Sequence, residues 1–171
     1  MARTKDEQLH EQRRTQILQV LAGMLEQPGA DRITTAALAA KLDVSEAALY
    51  RHFASKAQMF EGLIEFIESS VFTLLNQVAE REQAGQAQRM VQVLLQFGER
   101  NPGMTRVMVG DALVFENERL GARMNQFFDR IESSLRQCLR PAADAAGSAT
   151  PTADAQARAA GEAQRVVEQV E

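Results

Sequence analysis

Apolar residues recur along most of this 171-residue chain at the spacing of α-helices, and nowhere with the alternation of strands. Over residues 11–26 the repeating positions are Ile17, Val20, Leu21, Met24 and Leu25, and Pro28-Gly29 closes the helix they predict. A second, shorter helix follows Thr34-Thr35, either of which can cap it, with Leu38, Ala39 and Leu42 as its apolar side. Asp43-Val44 reads as a turn. Ser45 caps a third helix, with Val44 and Leu49 facing inward. Ser55 caps a long helix reaching about residue 82. Its residues Phe60, Leu63, Ile64, Ile67, Val71, Leu74, Leu75 and Val78 fall within about 120° of arc, a single buried stripe.

Past a break at Gly85, residues 87–98 are apolar nearly all round, through Met90, Val91, Val93, Leu94, Leu95 and Phe97, which predicts a helix covered on every side. Asn101-Pro102-Gly103 reads as a sharp turn, with Pro102 able to open a short helix over 103–114. A last helix is predicted over 117–140, with Leu120, Met124, Phe127, Phe128, Ile131, Leu135 and Cys138 on one side. At Pro141 the pattern stops. PAADAAGSATPTADAQARAAGEAQ has no large apolar residue, so burial cannot offset the entropy of ordering it. The expected organisation is all-α: a flexible arm (1–10), a three-helix unit with a helix-turn-helix (11–55), a helical body (56–140) and an Ala-rich disordered tail (141–171).

Composition narrows the class. Apolar residues make up 45% of the chain, enough for a real core up to about residue 140. No stretch approaches the roughly 20 apolar residues of a membrane span. The opening MARTKDEQLH is charged with no apolar run behind it, so no signal peptide is expected. The single cysteine, Cys138, leaves no internal disulfide and fits a cytoplasmic protein. Net charge is −4, an objection to DNA binding that its distribution weakens. Residues 1–60 carry 8 Lys/Arg against 7 Asp/Glu, and hold all three lysines, Lys5, Lys41 and Lys56. Only this amino-terminal part suits phosphates, and its weak charge calls for several contacts or two subunits. His10 and His52 lack a metal or nucleophile pattern, and no phosphate-binding glycine motif is present. No enzyme activity, cofactor or metal is expected.

Residues 34–53, TTAALAAKLDVSEAALYRHF, carry the chemistry. The outward side of the third helix presents Ser45, Ala47, Ala48, Tyr50, Arg51 and His52, short or polar groups suited to base edges and phosphates. The continuation LYRHFASK (49–56) resembles the helix-turn-helix of TetR-type regulators. LIEFIE (63–68), FGERNPGMTR (97–106) and the stretch 112–137 resemble the nucleoid-occluding members of that family, over roughly residues 12–140. The turn position often held there by glycine is Asp43, which tolerates a left-handed backbone better than most residues. The expected contacts to double-stranded DNA are as follows. Thr34 meets phosphate at a helix N-terminus, with Thr35 beside it among the DNA-binding residues. Ala47 and Ala48 allow close approach to base edges. Tyr50, His52 and Lys56 meet phosphates. Arg51 is divided between DNA and an internal ion pair, and His52 between phosphate and packing. Arg3, Lys5, Arg13 and Arg14 form either a DNA-contacting arm or a solvated tail.

Phe66 projects about 120° from the centre of the long helix's stripe, so it either packs against the DNA-reading helices or faces a partner. The resemblance implies the second: a groove beside this helix that takes the carboxy-terminal tail of the division protein FtsZ. The matching positions are Phe66, Arg100 and Asn101, with Val93 and Leu94 as apolar walls. Leu74 and Gln96 stand where the family tends to have a basic residue and a glycine. The implied role is a DNA-associated inhibitor of division, located at the nucleoid. The family continues past the position of Arg140 with two apolar pairing helices. The Ala-rich tail here predicts a weakened or lost homodimer, with Phe127, Phe128, Ile131 and Leu135 partly uncovered. The competing readings are a ligand-responsive TetR-type repressor with an effector cavity among residues 60–140, and a pure protein-interaction module.

Overall fold

The computed structural model describes residues 2–30, 32–82 and 84–145, together with Gly161 and Arg165. Seven α-helices and one 3-10 turn are found among them, and no strand. The first helix, α1 (Lys5–Leu25), begins inside the stretch predicted as a flexible arm. The cause is a capping box in Thr4-Lys5-Asp6-Glu7. The Glu7 N–H donates to Thr4 Oγ1 at 3.2 Å, and the Thr4 N–H donates to the Glu7 carboxylate at 2.8 Å. Helix α2 (Thr35–Leu42) is capped by Thr34, whose hydroxyl accepts from the Ala37 N–H at 3.1 Å. It ends at Asp43, left-handed at φ 54° and ψ 47°, the one non-glycine residue with positive φ among those described. The Asp43 N–H donates to Ala40 and the Val44 N–H to Ala39, a Schellman closure made without glycine. Ser45 then caps α3 (Glu46–Tyr50), accepting from the Ala48 N–H at 3.2 Å, and Ser55 caps α4 (Lys56–Arg81).

The chain divides into two compact units. The first comprises Met1–Phe66 and Pro102–Leu120. Its core is formed by Ile17, Leu21 and Leu25 of α1, Leu38, Leu49, Phe53, and Met59, Phe60, Leu63 and Ile64 of α4. Each large apolar side chain withdrawn from water in this way contributes about 1.5–3 kcal/mol. The short helix α6 (Pro102–Met108) belongs to this unit, packed on α1, although the sequence assigned it to the body. Gly103 makes that possible. A Cβ there would lie 2.0 Å from the Ala22 carbonyl oxygen. Arg106 reinforces the contact, its guanidinium donating to the Leu25 and Ala30 carbonyls at 2.9 Å each and pairing with Asp111 at 2.5 Å. It thereby satisfies a carbonyl that the end of α1 leaves without a helical partner. The helix expected over 103–114 stops at Met108. Gly110, at φ 85°, redirects the chain into a 3-10 turn (Asp111–Leu113).

The second unit comprises Ile67–Asn101 and Gly121–Glu171. Helix α5 (Gln86–Arg100) buries Ala87, Met90, Leu94 and Gly98, while Val91, Val93, Leu95 and Phe97 are only half-buried. It is amphipathic rather than covered on every side. Helix α7 (Glu118–Ala145) runs through Pro141, past the boundary at which the sequence predicted order to end. The rest of that predicted tail lies outside the described residues, Gly161 and Arg165 excepted. Phe127, Ile131 and Leu135 of α7 are fully buried, contrary to the exposure expected of them, and Phe128 is half-buried. Phe127 meets Phe72 and Phe128 edge-on, with ring centroids 5.7 and 5.2 Å apart, and the Arg130 guanidinium lies 4.0 Å from the centre of the Phe72 ring. Cys138 is half-buried beside Met90, and burial pushes its thiol pKa up, as suits a packing residue.

Candidate nucleic-acid interface and partner groove

Two capped helices joined by the left-handed Asp43 turn carry the candidate DNA-reading residues. Leu38, Ala39 and Leu49 are buried beneath them. Of the expected contact residues, Thr34, Ser45, Ala47, Tyr50 and Arg51 are exposed, while Thr35 and Ala48 are half-buried. Thr34 and Ser45 spend their side-chain oxygens on capping. The Thr35 hydroxyl donates to the Glu46 carboxylate at 2.9 Å, tying the start of α2 to the start of α3. The hydroxyl of Tyr50, at the end of α3, and the guanidinium of Arg51, which follows it, are exposed.

Three cations near this surface have structural work. Arg14, expected as part of an arm, lies over the Phe53 ring at 4.2 Å and donates to the His52 carbonyl, closing the turn between α3 and α4. Arg3 pairs with Glu11 at 3.5 Å. Lys56 sits on the first turn of α4, sharing a small hollow with Thr34 and Thr35, and its ammonium is 2.6 Å from the Glu116 carboxylate. Glu116 was not singled out in the sequence because its partner lies 60 positions away, beyond any helical spacing.

His52 is packed in the free protein. It is half-buried, its ring lies 4.6 Å from that of His10, and its Nδ1 is enclosed without a hydrogen-bond partner among the described residues. Burial foremost, and then the charges of His10, Arg13, Arg14 and Arg51, lower its pKa from the ordinary 6.5. A neutral imidazole is a poor phosphate ligand until a phosphate itself favours the charged form.

In the second unit, a groove of about 360 Å³ opens between α4 and α5, lined by Leu74, Arg81, Arg89, Val93, Phe97, Arg100 and Asn101, among others. Three of the expected partner residues, Val93, Arg100 and Asn101, meet there. Leu94 does not: at 1% exposure it is core, because it lies on the buried stripe of α5 with Met90. Asn101 terminates α5, its side-chain amide donating to the Phe97 carbonyl at 2.8 Å. Phe66 is half-buried and lies in the first unit. Arg81 and Arg89 were missed in the sequence. They flank the break at Gly85, and only the folding back of α5 on α4 brings them to one groove.

The model for bacterial regulatory proteins of the tetR family matches residues 17–63, which span the helix-turn-helix, and a tetracyclin repressor-like C-terminal domain matches residues 81–168. This chain belongs to the tetR family. Among similar proteins, the nucleoid occlusion factor SlmA of Vibrio cholerae serotype O1 is 60% identical over 131 residues, covering 75% of this chain and 67% of the relative. That of Aliivibrio fischeri is 56% identical over 142 residues, covering 81% and 72%. A solved TetR-family transcriptional regulator from Pectobacterium atrosepticum shares the fold, with a TM-score of 0.66 at 18% identity over 97% of this chain and 84% of its own. The C-terminal family match continues past Pro141 to residue 168, into the stretch whose composition suggested a departure from the family. No helix among the described residues of this tetR-family chain is long and apolar enough to cross a membrane.

Proposed function

We propose that this chain is a nucleoid occlusion factor: a DNA-associated inhibitor of cell division that binds specific chromosomal sites through α2 and α3 and engages FtsZ through the α4–α5 groove. It would act in the cytoplasm, at the nucleoid. The observation that carries this reading is the pairing of an exposed helix-turn-helix face with a separate basic groove, in a chain 56–60% identical to relatives of that name. On the DNA side, Thr34 and Thr35 bring a helix N-terminus and Lys56 a nearby cation, while Ser45, Ala47, Ala48, Tyr50, Arg51 and His52 line α3 and the turn after it. On the partner side, Arg81, Arg89 and Arg100 give the groove a basic rim around the apolar Leu74, Val93 and Phe97, which suits an acidic peptide with apolar side chains. Those arginines supply positive charge that Leu74 does not. Homodimerisation, weakened relative to the family, would set how tightly palindromic DNA is held.

The test separates the two surfaces. Fluorescence anisotropy with labelled DNA and with an FtsZ carboxy-terminal peptide should register both ligands on the unmodified protein. Arg100→Asp should abolish peptide binding and leave DNA binding intact. Loss of DNA binding or of folding alongside would make Arg100 a structural residue and refute the groove assignment.

A further inference from the structure

We propose that Glu116 is an internal stand-in for a DNA phosphate: in the free protein its carboxylate occupies the Lys56 ammonium, and DNA must displace it. Glu116 would thus limit affinity without touching the duplex. This inference rests on the reading above that Lys56 faces DNA.

The geometry is that of a strong, sheltered pair. Lys56 Nζ and Glu116 Oε1 are 2.6 Å apart, with the side chains 23% and 9% exposed. A charge-assisted contact this short cancels the local charge of Lys56, so that the counterion a phosphate gives up on meeting it is offset by the carboxylate that is freed. The carboxylate arrives from a segment that can yield. Val114 and Phe115, immediately before it, are 69% and 62% exposed and bury little. The segment is anchored by buried Leu113 and Leu120 at its ends, and between them by the Lys56–Glu116 pair and an Arg119–Glu61 pair at 2.8 Å. Segments with few buried contacts open at low free energy. On α2 the Thr35 hydroxyl likewise donates to a carboxylate, that of Glu46. Two expected DNA contacts, Lys56 and Thr35, are therefore both held by carboxylates in the free protein.

Glu116→Gln keeps an oxygen acceptor for Lys56 and removes the competing charge. Affinity for DNA of any sequence should rise about three- to tenfold, the size of one unit-charge interaction at about 4 Å screened by water. The slope of log affinity against log salt should steepen by up to about one unit, because no freed carboxylate then takes up the counterion that the phosphate gives up. Both gains should vanish in a Lys56→Ala background. Unchanged or weaker binding by Glu116→Gln, with Lys56→Ala still weakening it, would overturn the proposal and leave Lys56 at the DNA. If Lys56→Ala and Glu116→Gln were both without effect, the reading of Lys56 as a DNA contact would fall and this proposal with it. Should circular dichroism show Glu116→Gln unfolded, Glu116→Asp withdraws the carboxylate by one methylene. It should tighten binding by a smaller factor, and no tightening would overturn the proposal equally.

Discussion

Gly103 and Gly121 are both helical glycines, and replacing each by alanine should move stability in opposite directions. At Gly103 the new methyl would lie 2.0 Å from the Ala22 carbonyl oxygen, 2.9 Å from its carbon and 3.1 Å from Glu26 Cγ. The first two obstacles are backbone of α1, which cannot swing aside as a side-chain end would. Restoring ordinary contact requires α6 to back away from α1 by more than an ångström. Met104, Val107 and Met108, all buried, would then lose part of their packing, and Arg106 its reach to the Leu25 and Ala30 carbonyls. Overpacking of a core costs about 1–3 kcal/mol, and an unyielding backbone obstacle places this case at or above the upper end. For a chain of this size, about 3 kcal/mol corresponds to a fall in Tm of roughly 6–12 °C. At Gly121 no atom outside its own helix lies within 4 Å of the added methyl. There alanine gains about 1 kcal/mol of helix propensity, a rise of about 2–4 °C. Calorimetry or thermal circular dichroism on the two variants measures both. A Gly103→Ala protein melting within 2 °C of the unmodified one would refute the close crossing of α1 and α6.

Asp43→Gly relieves a left-handed residue and should stabilise the first unit by about 1 kcal/mol in urea titration; a destabilisation would mean that the Asp43 side chain matters more than its backbone. The lowered pKa of His52 makes the unfolded state bind more protons just below pH 6.5. Its contribution to stability is therefore complete above pH 6.5 and is lost as pH falls through that window. Denaturant titrations of His52→Gln should show a flatter pH dependence there, and an unchanged profile would remove His52 as its source. Lys56→Ala should weaken binding to all DNA sequences in anisotropy titrations, because a phosphate contact carries no sequence preference. Light scattering of the purified chain should show only weak self-association, and a sharp dimer at micromolar concentration would contradict that expectation.

Local signals in the sequence determined the helices and the reading unit. Apolar spacing at 3.6 residues located α1, α2, α4 and α7 because each must bury a stripe, and apolar content located α5 without telling which side it buries. The caps at Thr34, Ser45 and Ser55, and the left-handed turn at Asp43, were legible because capping acts between residues three or four apart. Even the early start of α1 was written there, in the Thr4–Glu7 capping box. Identity with the nucleoid occlusion relatives is likewise a property of the string of residues. Tertiary structure alone decided what depended on distant partners. Gly103 looked like part of a turn and is a helix crossing, because Ala22 is 81 positions away along the chain. Leu94 looked like a groove wall and is core, while Arg81 and Arg89 reach the groove only when α5 folds back on α4. Arg14 and Lys56 looked like free cations and are held by the His52 carbonyl and by Glu116. Periodicity tells which side of a helix is buried, since that follows from water and geometry along one element. It carries no information about which charge meets which, because an ion pair is set by where two unrelated stretches of chain come to rest.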